Sequence, residues 1–184
     1  YLLDQFLNPR ANQRQDAWGG DDPKRARFVM EVAGAVSKAI GADRVGIRLS
    51  PYGVFNDVGP FEGIDEAYVS LVKALGSVGL VYLHLVDHST MGAPPVPQAL
   101  KDQLRQAFPG TVILSGGYDR DRAEADLLAD RGDLVAFGRS FLANPDLALR
   151  LQQRAPLNEP DASTFYTPGE KGYTDYPFLA SQAV

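Results

Sequence analysis

Two short segments carry residue types suited to holding an anion: Ser115-Gly116-Gly117 and Phe137-Gly138-Arg139-Ser140. Glycine lets a backbone approach a ligand closely. The N–H groups of a helical turn that follows can point at an anion, and Arg139 can add two parallel charge-assisted bonds. Together the segments predict a phosphate site; each alone also reads as a tight turn, with Arg139 as a surface cation. Arg48 is the second candidate. It lies in the alternating run Arg44 to Ser50, where a buried charge is costly without a partner. That partner is either an anion at the end of the strand or an internal salt bridge. Asp87-His88-Ser89 has the residue types of a nucleophilic triad, but consecutive residues cannot converge on one point. His84, inside an apolar run, reads as a packed and hydrogen-bonded histidine. Trp18-Gly19-Gly20 reads as a turn with an aromatic plug. The tail residues Phe165, Tyr166, Tyr173, Tyr176 and Phe178 are either packing or part of a functional loop, since the segment is long and lacks periodicity.

The elements that must position these residues alternate between strand and helix. Asp22-Pro23 opens a helix as a capping carboxylate followed by proline, and Val29, Val32, Val36 and Ile40 recur at helical spacing up to Gly41. A strand follows over 44–50, then a Gly/Pro-rich loop and a helix over 64–75. The spacing next predicts a strand over 80–86, a helix over 97–108 with Leu100, Leu104 and Phe108 on one face, a strand over 111–115 and a helix over 119–130. A strand over 134–137 and a helix over 146–154 complete the pattern. Four βα units of this kind imply an α/β fold with a parallel sheet. An open doubly wound sheet and part of a (β/α)8 barrel both fit. No Gly-rich fingerprint follows the first strand, which weakens the dinucleotide-binding alternative. Polar glycine segments after the last two strands suit a barrel's phosphate site.

Composition removes other classes. The chain has 184 residues, no cysteine and two histidines. Disulfides, cysteine-ligated metals and thiol nucleophiles are excluded, and a His-rich metal site is not expected. A formal net charge of −5 argues against nucleic acid and anionic membranes as partners. No apolar run reaches a membrane span, and the first residues do not read as a signal peptide, so a cytoplasmic location is the expectation.

YLLDQFLNPRANQRQDAWGG with the helix bearing KRARF, then RVGIRLSP, VILSGGYD, LVAFGRSFLANPDLALRL and FYTPGEKGYTDYP, resemble the old yellow enzyme family of flavin-dependent ene-reductases. The resemblance runs in the family's order from Tyr1 to about Pro177, and its wording looks like the bacterial branch that reduces N-ethylmaleimide, nitrate esters and cyclic enones. It implies a (β/α)8 barrel with FMN at the C-terminal ends of its strands and NAD(P)H as reductant. Arg48 would face the flavin pyrimidine. Ser115, Gly116, Gly117, Phe137, Gly138 and Arg139 would form the cofactor's phosphate end. Phe165 would lie against the dimethylbenzene edge, and Tyr166 would reach the substrate, an activated alkene. Tyr1 matches the tyrosine that protonates the alkene. A full barrel needs about 250 residues, so the chain is expected to be the C-terminal half (strands five to eight), with the N-terminal half as a separate chain and partner. On that reading residues 1–21 are the loop after the fourth barrel strand, 22–154 the four βα units, and 155–184 a tail that contributes to the active site. An inactive half-barrel and another phosphate-binding barrel are the alternatives.

Overall fold

The computed structural model describes residues 1–179; the last residues of the expected tail, 180–184, lie outside them. Its helices and strands are α1 (Leu2–Leu7), α2 (Asp22–Ile40), β1 (Gly46–Leu49), α3 (Ile64–Val78), β2 (Tyr82–Val86), α4 (Gln98–Ala107), β3 (Thr111–Ser115), α5 (Arg120–Leu128), β4 (Leu134–Ala136), α6 (Arg139–Ala143) and α7 (Leu147–Gln153). Two compact units emerge, Tyr1–Ala136 and Phe137–Val184. The first holds the sheet and α1 to α5; the second holds α6, α7 and the tail.

The sheet is wholly parallel, and its order is β1-β2-β3-β4. A doubly wound sheet reverses its strand order at a switch point. Unbroken sequential order is instead that of neighbouring strands in a (β/α)8 barrel. One face is the core. Ile47, Leu49, Leu83, Leu85, Val112 and Leu114 are buried there with Leu71, Val72 and Leu75 of α3 and Leu100 and Leu104 of α4. Because side chains alternate along a strand, the intervening residues Arg48, His84, Ile113 and Leu134 share the other face. The register places these four side by side across the sheet. Leu134 is 53% exposed there.

Several expected boundaries move for local reasons. The cap of α2 is Asp21, whose carboxylate accepts from the Lys24 N–H; Asp22 is the first helical residue. The buried stripe of α2 is Arg25, Val29 and Ala33, while Val36 and Ile40 are exposed. Arg25 can be buried because its guanidinium donates to the Leu7 and Gly20 carbonyls and to Asp22. Within the stretch expected as loop, Leu2–Leu7 is helical. Phe137, expected to end the fourth strand, lies beyond it, and Arg139 begins α6.

Candidate functional site

Arg48 stands in β1 between the buried Ile47 and Leu49, yet its own side chain is exposed on the open face of the sheet. It makes no ion pair among the described residues, so the internal salt bridge considered from the sequence is not what holds it. Its neighbour in register is His84, whose Nε2 is buried without a hydrogen-bond partner among the described residues. The hydrogen-bonded histidine expected there is therefore not formed. Burial, and then the charge of Arg48, hold the His84 imidazole below its ordinary pKa; the same two causes, in the same order, lower His88 against a smaller opposing pull from Asp87. The C-terminal ends of β1 and β2 thus gather one fixed cation and two imidazoles biased toward neutrality. His88 packs edge-on to Phe55, 5.3 Å between ring centroids, and Ser89 uses its backbone N–H on the Asp87 carboxylate at 3.0 Å. Neither arrangement is that of a triad.

The end of β3 is held by β2. Asp87 donates its N–H to the Ser115 carbonyl at 2.9 Å, and its buried carboxylate pairs with Lys101 of α4 at 2.6 Å. Burial alone would raise the Asp87 carboxyl, but Lys101 and Ser89 outweigh it and hold it below the usual aspartate range. Gly116 (φ 121°) and Gly117 (φ 62°) both lie in the region that favours glycine. A Cβ at Gly116 would collide with the Asp87 carbonyl, and one at Gly117 with Thr90. The glycines of this segment are thus demanded first by the chain's own packing. Arg122 donates to the carbonyls of both, at 3.1 and 3.3 Å. The helix after them starts at Arg120, and its Asp119 cap accepts from the Arg122 N–H at 2.8 Å. One N–H of that helix turn is therefore taken by its own aspartate.

Gly138 differs. Its φ of −93° and ψ of −81° lie outside the left-handed region, and nothing comes within 4 Å of a Cβ placed there. Neither backbone strain nor packing explains a glycine at this position. Arg139, next in sequence, is exposed. In the sheet, Ser115 is in register with Ala136, so the C-terminal ends of β3 and β4, from which the two segments continue, are neighbours.

In the second unit, the buried Arg150 ties the tail to α7. It donates to Asp146 at 2.6 Å and to the carbonyls of Pro156 and Pro177 at 2.7 and 2.9 Å. Phe165 and Tyr166 are the central residues of a type II turn. Phe165 has φ −62° and ψ 130°, Tyr166 has φ 62°, and the Thr167 N–H donates to the Thr164 carbonyl at 3.2 Å. This turn needs a positive φ at its third residue, which is why glycine or asparagine is usual there. A tyrosine costs about 1–2 kcal/mol. Tyr166 is nonetheless 99% exposed. Its backbone N–H donates to the Tyr173 hydroxyl at 2.7 Å. Tyr1, 72% exposed, precedes α1, and its carbonyl accepts from the Gln5 N–H at 2.9 Å.

Arg122 and Lys101 were not singled out by the sequence, and Tyr173 and Asp87 were noted without the partners they have here. The carbonyls that Arg122 serves, the carboxylate that Lys101 pairs with and the backbone N–H that Tyr173 receives lie five or more positions away and carry no motif. The nearest signal is the run of tyrosines in the tail. Among the described residues no cluster of three or more His, Asp or Glu could hold a metal ion, and no helix is long and apolar enough to cross a membrane.

Known proteins are similar over nearly the whole chain. The sequence signature of the NADH:flavin oxidoreductase / NADH oxidase family matches residues 1–158. 12-Oxophytodienoate reductase 2 of Arabidopsis thaliana is 42% identical over all of this chain and 50% of its own length. Putative 12-oxophytodienoate reductase 3 of Oryza sativa subsp. japonica is 48% identical over 97% of this chain and 48% of its own. The solved structure of morphinone reductase superimposes with a TM-score of 0.91 at 45% identity, covering 97% of this chain and 48% of that one. Another holds morphinone reductase with tetrahydroNAD (TM-score 0.89, 44% identity, 97% and 48% covered). The chain spans about half the length of the curated relatives it matches. The sequential parallel sheet is thus half of a (β/α)8 barrel, and the chain belongs to the NADH:flavin oxidoreductase / NADH oxidase family, the old yellow enzymes whose wording its motifs carry.

Proposed function

We propose that this chain is the C-terminal half of an FMN-dependent ene-reductase, working with the N-terminal half of the same barrel. The observation that carries the reading is Arg48: a cation on the open face of the sheet, at a strand's C-terminal end, with no carboxylate partner among the described residues. A fixed positive charge in that place suits a group that becomes anionic on reduction. The open space over Gly138 and the cationic Arg139 beside it suit the phosphate end of the same group. The residues present therefore fit FMN.

When bound, FMN would supply the hydride chemistry between NAD(P)H and the β carbon of an activated alkene such as an enone, maleimide or nitro-alkene. The chain's own residues do the rest. Arg48 holds its charge against the pyrimidine end of the flavin. Ser115, Gly116, Gly117, Phe137, Gly138 and Arg139 bind the phosphate end. Phe165 covers the dimethylbenzene edge and keeps water from it. Tyr166 borders the place where the alkene lies, and the Tyr1 hydroxyl gives a proton to the alkene's α carbon. The relatives' names support an activated alkene: 12-oxophytodienoate and morphinone are the compounds that name them. A soluble, xenobiotic-reducing role in the cytoplasm is part of the same proposal.

The test is the visible spectrum of the full-length protein containing this chain. Flavin absorption that bleaches with NAD(P)H under anaerobic conditions and returns on addition of 2-cyclohexenone is the expected result. A colourless protein, or one whose flavin no alkene reoxidises, overturns the reading.

A further inference from the structure

From the turn that carries Tyr166 we infer that Tyr173 is a positioning residue for substrate, holding Tyr166 in its projecting conformation through the hydrogen bond from the Tyr166 N–H to the Tyr173 hydroxyl. This rests on the proposed placement of Tyr166 beside the alkene and adds to it the device that sets that placement.

A second tyrosine of this chain, Tyr52, has nearly the same backbone angle. Ser50-Pro51-Tyr52-Gly53 is a turn of the same kind, with the Gly53 N–H donating to the Ser50 carbonyl at 3.0 Å and Tyr52 at φ 64°. There the strained tyrosine has a structural return on this chain. Its ring packs on the core, and its hydroxyl donates to Asp65 at 2.9 Å. Tyr166 has the same backbone angle with no such return. It is 99% exposed, and its side chain makes no hydrogen bond or ring contact among the described residues. Strained backbone persists where surrounding structure over-determines it, and such positions cluster at ligand sites.

The surrounding structure here is specific. The Thr167 hydroxyl doubles the turn's own bond by donating to the Thr164 carbonyl at 2.7 Å. Gly172, at φ 79°, sits against Thr164 so closely that a Cβ would collide with that side chain, and its N–H donates to the Asp175 carboxylate at 2.7 Å. Asp161 donates its N–H to the Tyr176 hydroxyl at 2.8 Å. The turn's base is thus fixed by several groups, but its tip by one: the Tyr173 hydroxyl, 2.7 Å from the Tyr166 nitrogen. Removing that hydroxyl leaves the fold of the tail in place and frees the tip, so the Tyr166 ring samples orientations that do not meet the alkene.

The experiment uses the full-length, FMN-loaded enzyme with Tyr173→Phe, Tyr166→Ala and the double variant. The dissociation constant for 2-cyclohexenone comes from the oxidative half-reaction, and amide hydrogen exchange at Tyr166 is followed in parallel. Tyr173→Phe is expected to speed Tyr166 amide exchange at least tenfold and to weaken enone binding three- to tenfold. The rate of reduction at saturating NAD(P)H should stay within twofold. The double variant should bind enone no more weakly than Tyr166→Ala alone. Enone affinity unchanged in Tyr173→Phe but weakened in Tyr166→Ala overturns the positioning role alone. Affinity unchanged in Tyr166→Ala overturns the placement of Tyr166 beside the substrate, on which it rests.

Discussion

The backbone carbonyl of Asp87 fills the space in which a side chain at Gly116 would begin. The end of β3 is therefore shaped by β2, and the segment proposed for the cofactor's phosphate inherits its form from this contact. Gly116→Ala combines a backbone angle of φ 121°, which L residues avoid, with a collision against main chain that cannot rotate away. It is expected to destabilise the protein by about 1–3 kcal/mol and to lower FMN retention. Urea unfolding with and without added FMN checks both.

The Asp87–Lys101 pair should show in the pH dependence of stability. The side chains are only 6% and 13% exposed, so Lys101→Met leaves a buried carboxylate unpaired, at a cost of about 3–5 kcal/mol near neutral pH. The Asp87 carboxyl titrates below its ordinary value in the folded protein. Its contribution is thus present above the unfolded value, about pH 4, and is lost as pH falls through the lower folded value. Asp87→Asn should therefore be less stable than the parent at pH 7 and should lose less on acidification. Denaturant midpoints taken across this range for the two proteins would converge; parallel curves would sink the assignment.

Arg48→Met should fold, since the side chain is exposed and serves no ion pair among the described residues. Removing its charge from the pyrimidine end disfavours reduced, anionic flavin. The midpoint potential of the bound flavin is expected to fall, and a redox titration of both proteins measures the change. An unchanged midpoint places the guanidinium elsewhere.

Tyr1→Phe, in the full-length enzyme, separates the two half-reactions. Only alkene reduction needs a proton delivered to carbon. General acid catalysis by a placed side chain is worth about 10²–10⁴-fold. Stopped-flow rates should show a deficit near that size with 2-cyclohexenone and little change with NAD(P)H. The deficit should shrink with a nitro-alkene, whose stabilised nitronate can wait for water. Equal slowing of both steps would assign the proton to another donor.

The parts of this architecture that were legible beforehand are those written in local pattern. Thr111–Ser115 is a strand as its short apolar run predicts, and the stripe Ile64, Tyr68, Leu71, Val72, Leu75 buries one face of α3. Short helices left no such trace: Leu2–Leu7 and Arg139–Ala143 have two turns or fewer and no side-chain cap. Adjacent aspartates hid the start of α2, where the cap proved to be Asp21 rather than Asp22. At the site, Arg48 was visible because a charge interrupts an apolar run. The Tyr166 turn was hidden because the residue that normally announces it, glycine at the third position, is replaced by tyrosine. The Asp87–Lys101 pair joins residues fourteen apart on a strand end and a helix, and no spacing rule links them.

The interleaving of β1 to β3 has an evolutionary consequence. Ile47, Leu49, Leu83, Leu85, Val112 and Leu114 bury the helical layer, while Arg48, His84 and Ile113 sit between them on the opposite face. Substitution can thus retool the inner face one residue at a time without touching the core. Insertion or deletion of a single residue cannot, because it exchanges the two sets along the rest of the strand and sends Arg48 or His84 into the hydrophobic layer. Descendants of such a chain are expected to differ in letters on the inner face, where the chemistry changes, and in length only between the strands.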